Sequence, residues 1–347
     1  MIASATPTPK RPTPKSSAML SRVADCVYWM SRYLERAENV ARFVDVNHIL
    51  SLDLGSAGGE QWAPLVNTTG DHSKFAERYG AATQRNVINF LSFDDQNPNS
   101  VLSCLRSARE NARAVRDIIS SAVWEEINKF YLYVRTARDE KRLLEEPHEF
   151  FNQVKRSSQL IVGMMDATIS RGEAWHFAEI GRLIERADKT SRILDVKYYI
   201  LLPRVTDVGT PVDVVQWAAL LKSAGALEMY RRSRGRLTPI EVVDFLLLDR
   251  HFPRAIRFCL NTAEESLRAI TGTPRSTFGN EAERQIGRLR SELDFVRIEQ
   301  VVQGGLHEYL DDFQDKLNAV GAAITESFFA QDPAFGDSRG DYRNGRL

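Results

Sequence analysis

A glutamate followed by an arginine on a helix sets a carboxylate, able to take a proton or accept hydrogen bonds from an amine, beside a guanidinium that grips carboxylate or phosphate oxygens. The chain carries this pair twice in the same setting. Ser31 to Val46 aligns without a gap with Gly181 to Val196, and 7 of the 16 positions are identical: Arg32/Arg182, Glu35/Glu185, Arg36/Arg186, Ala37/Ala187, Arg42/Arg192, Asp45/Asp195 and Val46/Val196. Most of these are charged, and solvated charges have little reason to stay identical between copies. Glu35 and Glu185 are therefore the candidate catalytic carboxylates. Arg36, Arg42, Asp45, Arg186, Arg192 and Asp195 are candidate substrate contacts along a polar groove between two helices. The plainer reading is pairing within each helix, Glu38 with Arg42 or Arg42 with Asp45, worth about 0.2–0.5 kcal/mol per exposed pair.

A second basic feature is a ladder. Arg106, Arg109, Arg113 and Arg116 are spaced 3, 4 and 3 apart, which puts four guanidinium groups on one helical face, suited to clamping phosphate or carboxylate. The alternative is that they pair with Glu35, Glu38 or Asp45 on a neighbouring helix. No metal or cofactor is expected. Glu173-x-x-His176 has the spacing used in di-iron bundles, but such a site needs a second copy, and the other instance, Glu145 to His148, contains Pro147. Nucleophile-elbow, P-loop, dinucleotide and HExxH motifs do not occur in the sequence. Cys104 and Cys259 sit at equivalent positions among apolar neighbours and read as buried thiols.

The elements that must carry these residues are helices. Val23, Val27, Met30, Leu34, Ala37, Ala41 and Val44 recur at alternating steps of 4 and 3, one stripe of a long amphipathic helix ending before Gly55. A loop and a helix follow to about Leu91, then a helix capped by Asn99 or Ser100. Further helices are expected over 124–144, 150–169, 173–202, 213–229, 280–303 and 305–330. Another begins at Thr238-Pro239-Ile-Glu241, a cap, first-turn proline and capping-box glutamate, and one more opens at Pro253. No stretch alternates with period 2, so the class is all-α, about ten helices. The duplication continues beyond the Glu-Arg helices: Val87 to Val115 aligns with Val242 to Ile270, 11 of 29 positions being identical, among them Phe90/Phe245, Pro98/Pro253, Cys104/Cys259 and Arg113/Arg268. The ladder is not duplicated, since Arg106, Arg109 and Arg116 face Asn261, Glu264 and Thr271. The expected organisation is an arm at 1–18, with Met19 a candidate start, then helical repeats at 19–172 and 173–330 about a pseudo-twofold axis with one shared core, and a tail at 331–347.

The 347 residues contain 46 Lys+Arg and 46 Asp+Glu. A net charge of zero gives no global pull towards nucleic acid or an anionic membrane. The apolar runs Val196 to Leu202 and Val242 to Leu248 fall far short of the roughly 20 residues of a membrane span. Cys26, Cys104 and Cys259 form no pair pattern, which fits reduced thiols in the cytoplasm.

Several stretches resemble the alpha-E domain family: Met19 to Asn39, Asn97-Pro-Asn-Ser100, Ala108 to Arg113, Trp124-Glu-Glu-Ile-Asn128, Ile180 to Asp188 and Phe252-Pro-Arg254. One departure is Ala255, where the resemblance leads one to expect serine. The resemblance implies a bacterial all-helical protein that works with a circularly permuted ATP-grasp ligase and a transglutaminase-like protein, in a system that makes or trims amide bonds. An accessory, substrate-presenting role follows from it. The residues themselves also admit a free-standing enzyme using Glu35 or Glu185 as general base, or a non-catalytic helical scaffold.

Overall fold

The computed structural model describes residues 19, 21–54, 62–69, 71–139, 147–201 and 211–330. The expected arm and tail lie outside these residues. Among the described residues there is no strand, and there are fifteen helices rather than about ten. They are α1 (Ser21–Leu54), α2 (Ala63–Thr69), α3 (His72–Tyr79), α4 (Gln84–Ser92), α5 (Val101–Ala114), α6 (Ser121–Asp139), α7 (Pro147–Thr168) and α8 (Glu173–Leu201). The remainder are α9 (Pro211–Ser223), α10 (Leu227–Arg234), α11 (Pro239–Leu248), α12 (Ile256–Thr271), α13 (Glu281–Asp294), α14 (Ile298–Gly304) and α15 (Leu306–Ile324), which runs into a π-turn, Thr325–Phe329. The extra helices come from breaks that apolar periodicity does not show. The expected helix 213–229 divides at Gly225 (φ 60°), where a side chain would press on the Arg42 guanidinium.

Local chemistry explains the starts. Ser100 Oγ accepts from Ser103 N at 3.2 Å to cap α5, and Thr238 Oγ1 accepts from Glu241 N at 3.3 Å to cap α11. Thr83 caps α4 in the same way, through Asn86 N. Ala255, the departure from the family pattern, leaves α12 without a side-chain cap.

The repeat is visible in the packing. α3, α4 and α5 recur as α10, α11 and α12 at a shift of 155 residues, and Phe75 on Phe90 recurs as Tyr230 on Phe245, both edge-to-face. α5 and α7 pack on α1, with α6 against both. α12 and α15 pack on α8, with α13 against both. Each half also crosses over: α2 packs on α8 and α9 on α1. α1 and α8 form the largest helix–helix contact. Their contacts keep a nearly constant separation in sequence, from Met19 N on Glu173 to Arg186 on Glu35, so the two helices run side by side in the same direction. Equivalent residues of the two copies therefore lie at the same level.

Buried apolar side chains gather in two clusters, one per half, rather than one. The first is built around Met30, Leu34, Phe90, Leu105 and Phe151, with Ala178 from α8. The second is built around Ile184, Phe245, Leu260 and Phe313, with Ala24, Tyr28 and Phe43 from α1. Between the clusters α1 and α8 approach so closely that a Cβ on Gly181 would collide with the Tyr28 carbonyl. Gly181→Ala should accordingly destabilise the fold by about 1–3 kcal/mol through overpacking. Gly163→Ala, a mid-helix site with open space around it, should be neutral or stabilising by about 0.5–1 kcal/mol. Urea denaturation of the two variants checks the contrast.

Candidate functional site

The two Glu-Arg pairs meet in the middle of the molecule and clasp each other. Arg186 donates to Glu35 from Nε (2.9 Å to Oε1) and Nη2 (2.7 Å to Oε2). Arg36 donates to Glu185 from Nε (2.6 Å to Oε1) and Nη2 (2.9 Å to Oε2). Both are bidentate forks, and both cross from one half to the other. Parallel helices with the motif at one level make this exchange possible: the glutamate of each copy faces the arginine of the other. Glu35 is 2% exposed and Glu185 is fully buried, so neither is a solvated intrahelical partner.

Each carboxylate has a further ring of donors. Glu35 accepts from Arg254 Nη1 (2.9 Å) and Asn39 Nδ2 (2.9 Å), while Glu185 accepts from Arg32 Nε (2.9 Å) and has Lys189 Nζ at 3.5 Å. Arg254 also reaches Glu38 (2.7 Å) and Asn39 Oδ1 (3.0 Å). On the other side Arg36 Nη1 reaches Asn99 (2.9 Å), which in turn donates to Asp71 (2.9 Å). The repeat makes the trade between the two sites plain. Position 39 is asparagine where its counterpart is Lys189, and position 99 is asparagine where its counterpart is Arg254. Beyond the arginines that both copies share, each site thus receives one cation, from α8 in one case and from the turn before α12 in the other.

Burial by itself would raise the pKa of Glu35 and Glu185. The opposed guanidinium groups outweigh it, Arg186 and Arg254 for Glu35, Arg36 with Lys189 and Arg32 for Glu185, and hold both carboxyls well below the usual carboxylate range. Burial pushes the Cys104 and Cys259 thiols up to about 12. They are inert as nucleophiles at neutral pH, and each donates weakly to a proline carbonyl, Pro98 or Pro253.

The other residues singled out by sequence fall in three places. Arg42 forks onto Glu38 (2.8 and 2.7 Å), and Arg192 onto Asp188 (3.1 Å); these bonds stay within one helix, but Glu38 is buried and also takes Arg254 from the other half. Asp45 and Asp195 lie further along, bonded to histidines of α7 and α15: His148 (2.7 Å) with Lys155 (2.7 Å), and His307 (2.7 Å). The ladder stands apart from the Glu-Arg centre on the outer surface, and it pairs locally instead of with Glu35, Glu38 or Asp45. Arg106 pairs with Asp95. Arg109 bonds Asn128 (2.6 Å) and lies over Trp124 and Tyr131. Arg113 pairs with Glu110 (2.8 Å). Arg116 lies beyond the end of α5 at Ala114 and stacks over Trp124. Glu173 is taken up by the Met19 backbone N–H (2.8 Å). Asp195, His307 and Asp311 do place ligand atoms within 4.8 Å of one another, but Asp195 already bonds the His307 ring, and the two acids raise the His307 pKa against the lowering effect of burial.

The chain matches, over residues 19–329, the model of a family described as a predicted alpha-helical domain with a conserved ER motif. The chain belongs to the Alpha-E family. Similar proteins of Mycobacterium bovis and Mycobacterium tuberculosis, described as uncharacterised, are 23% identical to it over 337 residues. The match covers 87% of this chain and 37% of theirs, so the chain spans little more than a third of the relatives it matches. No solved structure matches it significantly.

Sequence reasoning put Arg254 in a family motif but gave it no role, and it missed Asn39, Lys189 and Asp71. A signal for the α7/α15 pair was present: His148-Glu149 recurs as His307-Glu308, each ahead of two large apolar or aromatic residues.

Removing one partner of a buried pair leaves the others uncompensated. Glu35→Gln and Glu185→Gln should each destabilise this Alpha-E fold by about 3–5 kcal/mol in equilibrium denaturation. Arg254→Asn should cost a similar amount, and Asn39→Lys in that background should recover on the order of 1–2 kcal/mol by moving the cation to the helix, as in the other copy. Because both folded carboxyl pKa values are depressed, their contribution is complete above the ordinary value of 4.5 and is lost as pH falls towards the folded values. The melting temperature should hold near neutrality and drop below pH 4.5, less steeply in the Glu35→Gln, Glu185→Gln double variant.

Proposed function

We propose that this chain is an accessory, substrate-presenting subunit of an ATP-dependent amide- or peptide-bond-forming system, working with a circularly permuted ATP-grasp ligase and a transglutaminase-like protein. The observation that carries the reading is the closed Glu-Arg centre. A general base for chemistry near neutrality needs a carboxyl with a raised pKa and an open side. Glu35 and Glu185 have depressed pKa values, and arginines occupy their oxygens, so the free-standing enzyme reading loses its base. A centre of this kind fixes the angle between two halves and suits a protein that holds something for another to act upon.

The length of the relatives supports a partner. They carry a region like this one within much longer chains, so in them it is one part among others. The ladder is the surface we assign to that contact: Arg113 and Arg116 are exposed, and Trp124 and Tyr131 stiffen the arginines stacked on them. Among the described residues no helix is long and apolar enough to cross a membrane, and the three cysteines are buried free thiols. A cytoplasmic location is part of this proposal, and the buried free thiols are in keeping with it.

The test is affinity purification of the tagged chain from its own cells, followed by reconstitution with whatever co-elutes. Recovery of an ATP-grasp or transglutaminase-like protein, with amide-forming activity lowered at least tenfold by Arg109→Ala plus Arg113→Ala, is the expected result. Turnover by the isolated chain that vanishes in a folded Glu35→Gln variant would instead establish the enzyme reading. Capture of structural partners without any ligase would leave a scaffold.

A further inference from the structure

The duplication is closed on one side of the Glu-Arg centre and open on the other. On the Glu185 side, Arg32 is held from two directions: it bonds Glu185 and the Tyr28 hydroxyl, and its guanidinium lies over the Trp29 ring. The space beside it is filled by Tyr28, with Phe329 of the π-turn packed on that ring at 5.3 Å. On the Glu35 side the counterparts are small. Ala178 stands where the other copy has Tyr28, and Glu179 where it has Trp29. In the register that pairs His148 with His307, Ile169 and Ser170 stand where the other copy has Phe328 and Phe329. A cleft of about 340 Å³ results, walled by α1, α7 and α8.

Its chemistry is specific. Arg182, the counterpart of Arg32, lines the cleft and makes one hydrogen bond among the described residues, to Glu179 one turn before it. The remaining guanidinium N–H groups are uncommitted, and the buried Ser31 hydroxyl on the facing wall has no hydrogen-bond partner among the described residues. Leu34 and Met165 supply apolar wall, and Trp175 adds a ring that carries on one face the Arg171 guanidinium, itself paired with Asp166 (2.9 Å) at the rim. Glu35 closes the floor with its charge already met by Arg186 and Arg254.

We propose that this cleft binds an α-amino acid with an apolar side chain. Arg182 and Ser31 hold its carboxylate, Glu179 holds its ammonium, and Leu34, Met165 and Trp175 receive the side chain. The ligand is a zwitterion and the Glu179–Arg182 pair is a zwitterionic pair, so binding exchanges one ion pair for two without importing net charge into a partly desolvated site. The volume lies at the small end of ligand pockets, which fits a single amino acid. The inference rests on the substrate-presenting reading for its purpose, but it is scored on the isolated chain, so failed partner capture and failed ligand binding are separate results.

The experiment is saturation-transfer NMR and calorimetry on the full chain with L-leucine and L-phenylalanine, alongside isocaproate and isoamylamine, which each lack one charge. At least one amino acid should bind, with the single-charge analogues weaker by tenfold or more. Arg182→Gln should weaken that binding tenfold or more with little change in melting temperature. Ala178→Tyr, which restores the ring of the closed copy, should abolish it. Should that variant misfold, Ser31→Ala gives the same direction with a smaller loss. Absence of binding by both amino acids at about 10 mM, equal binding of an analogue lacking either charge, or unchanged affinity in Arg182→Gln would each overturn the proposal.

Discussion

The fold depends on neutralising two glutamates in a place water does not reach. An isolated carboxylate at such a site would cost many kcal/mol or would take up a proton. Bidentate arginines from the opposite copy prevent both outcomes, and this solution constrains much else. α1 and α8 must run in the same direction with their motifs at one level, which requires the backbone approach that Gly181 permits. The turns before α5 and α12 must deliver Asn99 and Arg254 to the arginine and carboxylate ends of the network. The N-cap of α5, the weak thiol bonds to Pro98 and Pro253, and the crossing of α2 and α9 onto the opposite Glu-Arg helix all serve that placement.

The two copies of the repeat hold corresponding sites that differ in which positions supply the charge. The additional cation is Lys189 on a helix in one copy and Arg254 in a turn in the other, with asparagine left at each vacated position. Because a buried network tolerates little net imbalance, such exchanges must be paired. Outside the network there is no such constraint. The ladder occurs in one half only, and aromatic rings fill the flank of one site while small residues leave the other open. Function, on this view, was free to develop at the edges because the centre was fixed.

Much was legible in the chain itself. The 3.6-residue periodicity of α1, the cap and proline at the start of α11, and the ungapped recurrence of Glu35-Arg36 as Glu185-Arg186 each carry a local signal, and local signals survive in sequence. Short helices were lost because α2, α3, α10 and α14 are too brief to display a period, and the Gly225 break answers to Arg42, a residue far away in the chain. The ladder was read correctly as an arginine row and as the property of one half. Its continuation to Arg116 was not, because α5 ends at Ala114.

What sequence determined by itself was the class of the fold, its duplication, its family and the identity of the charged residues that matter. It could not say whether Glu35 and Glu185 were bases waiting for substrate or carboxylates already locked, since that turns on which guanidinium lies within 3 Å. Only tertiary structure brings Arg186, 151 residues away, and Arg254, 219 residues away, onto one carboxylate. Likewise, the difference between Ala178 and Tyr28 is a single aligned position in sequence, and it becomes a cleft only when α1, α7 and α8 are packed around it. A residue's type fixes the interactions it is able to make. The packing of distant helices decides which of them it makes.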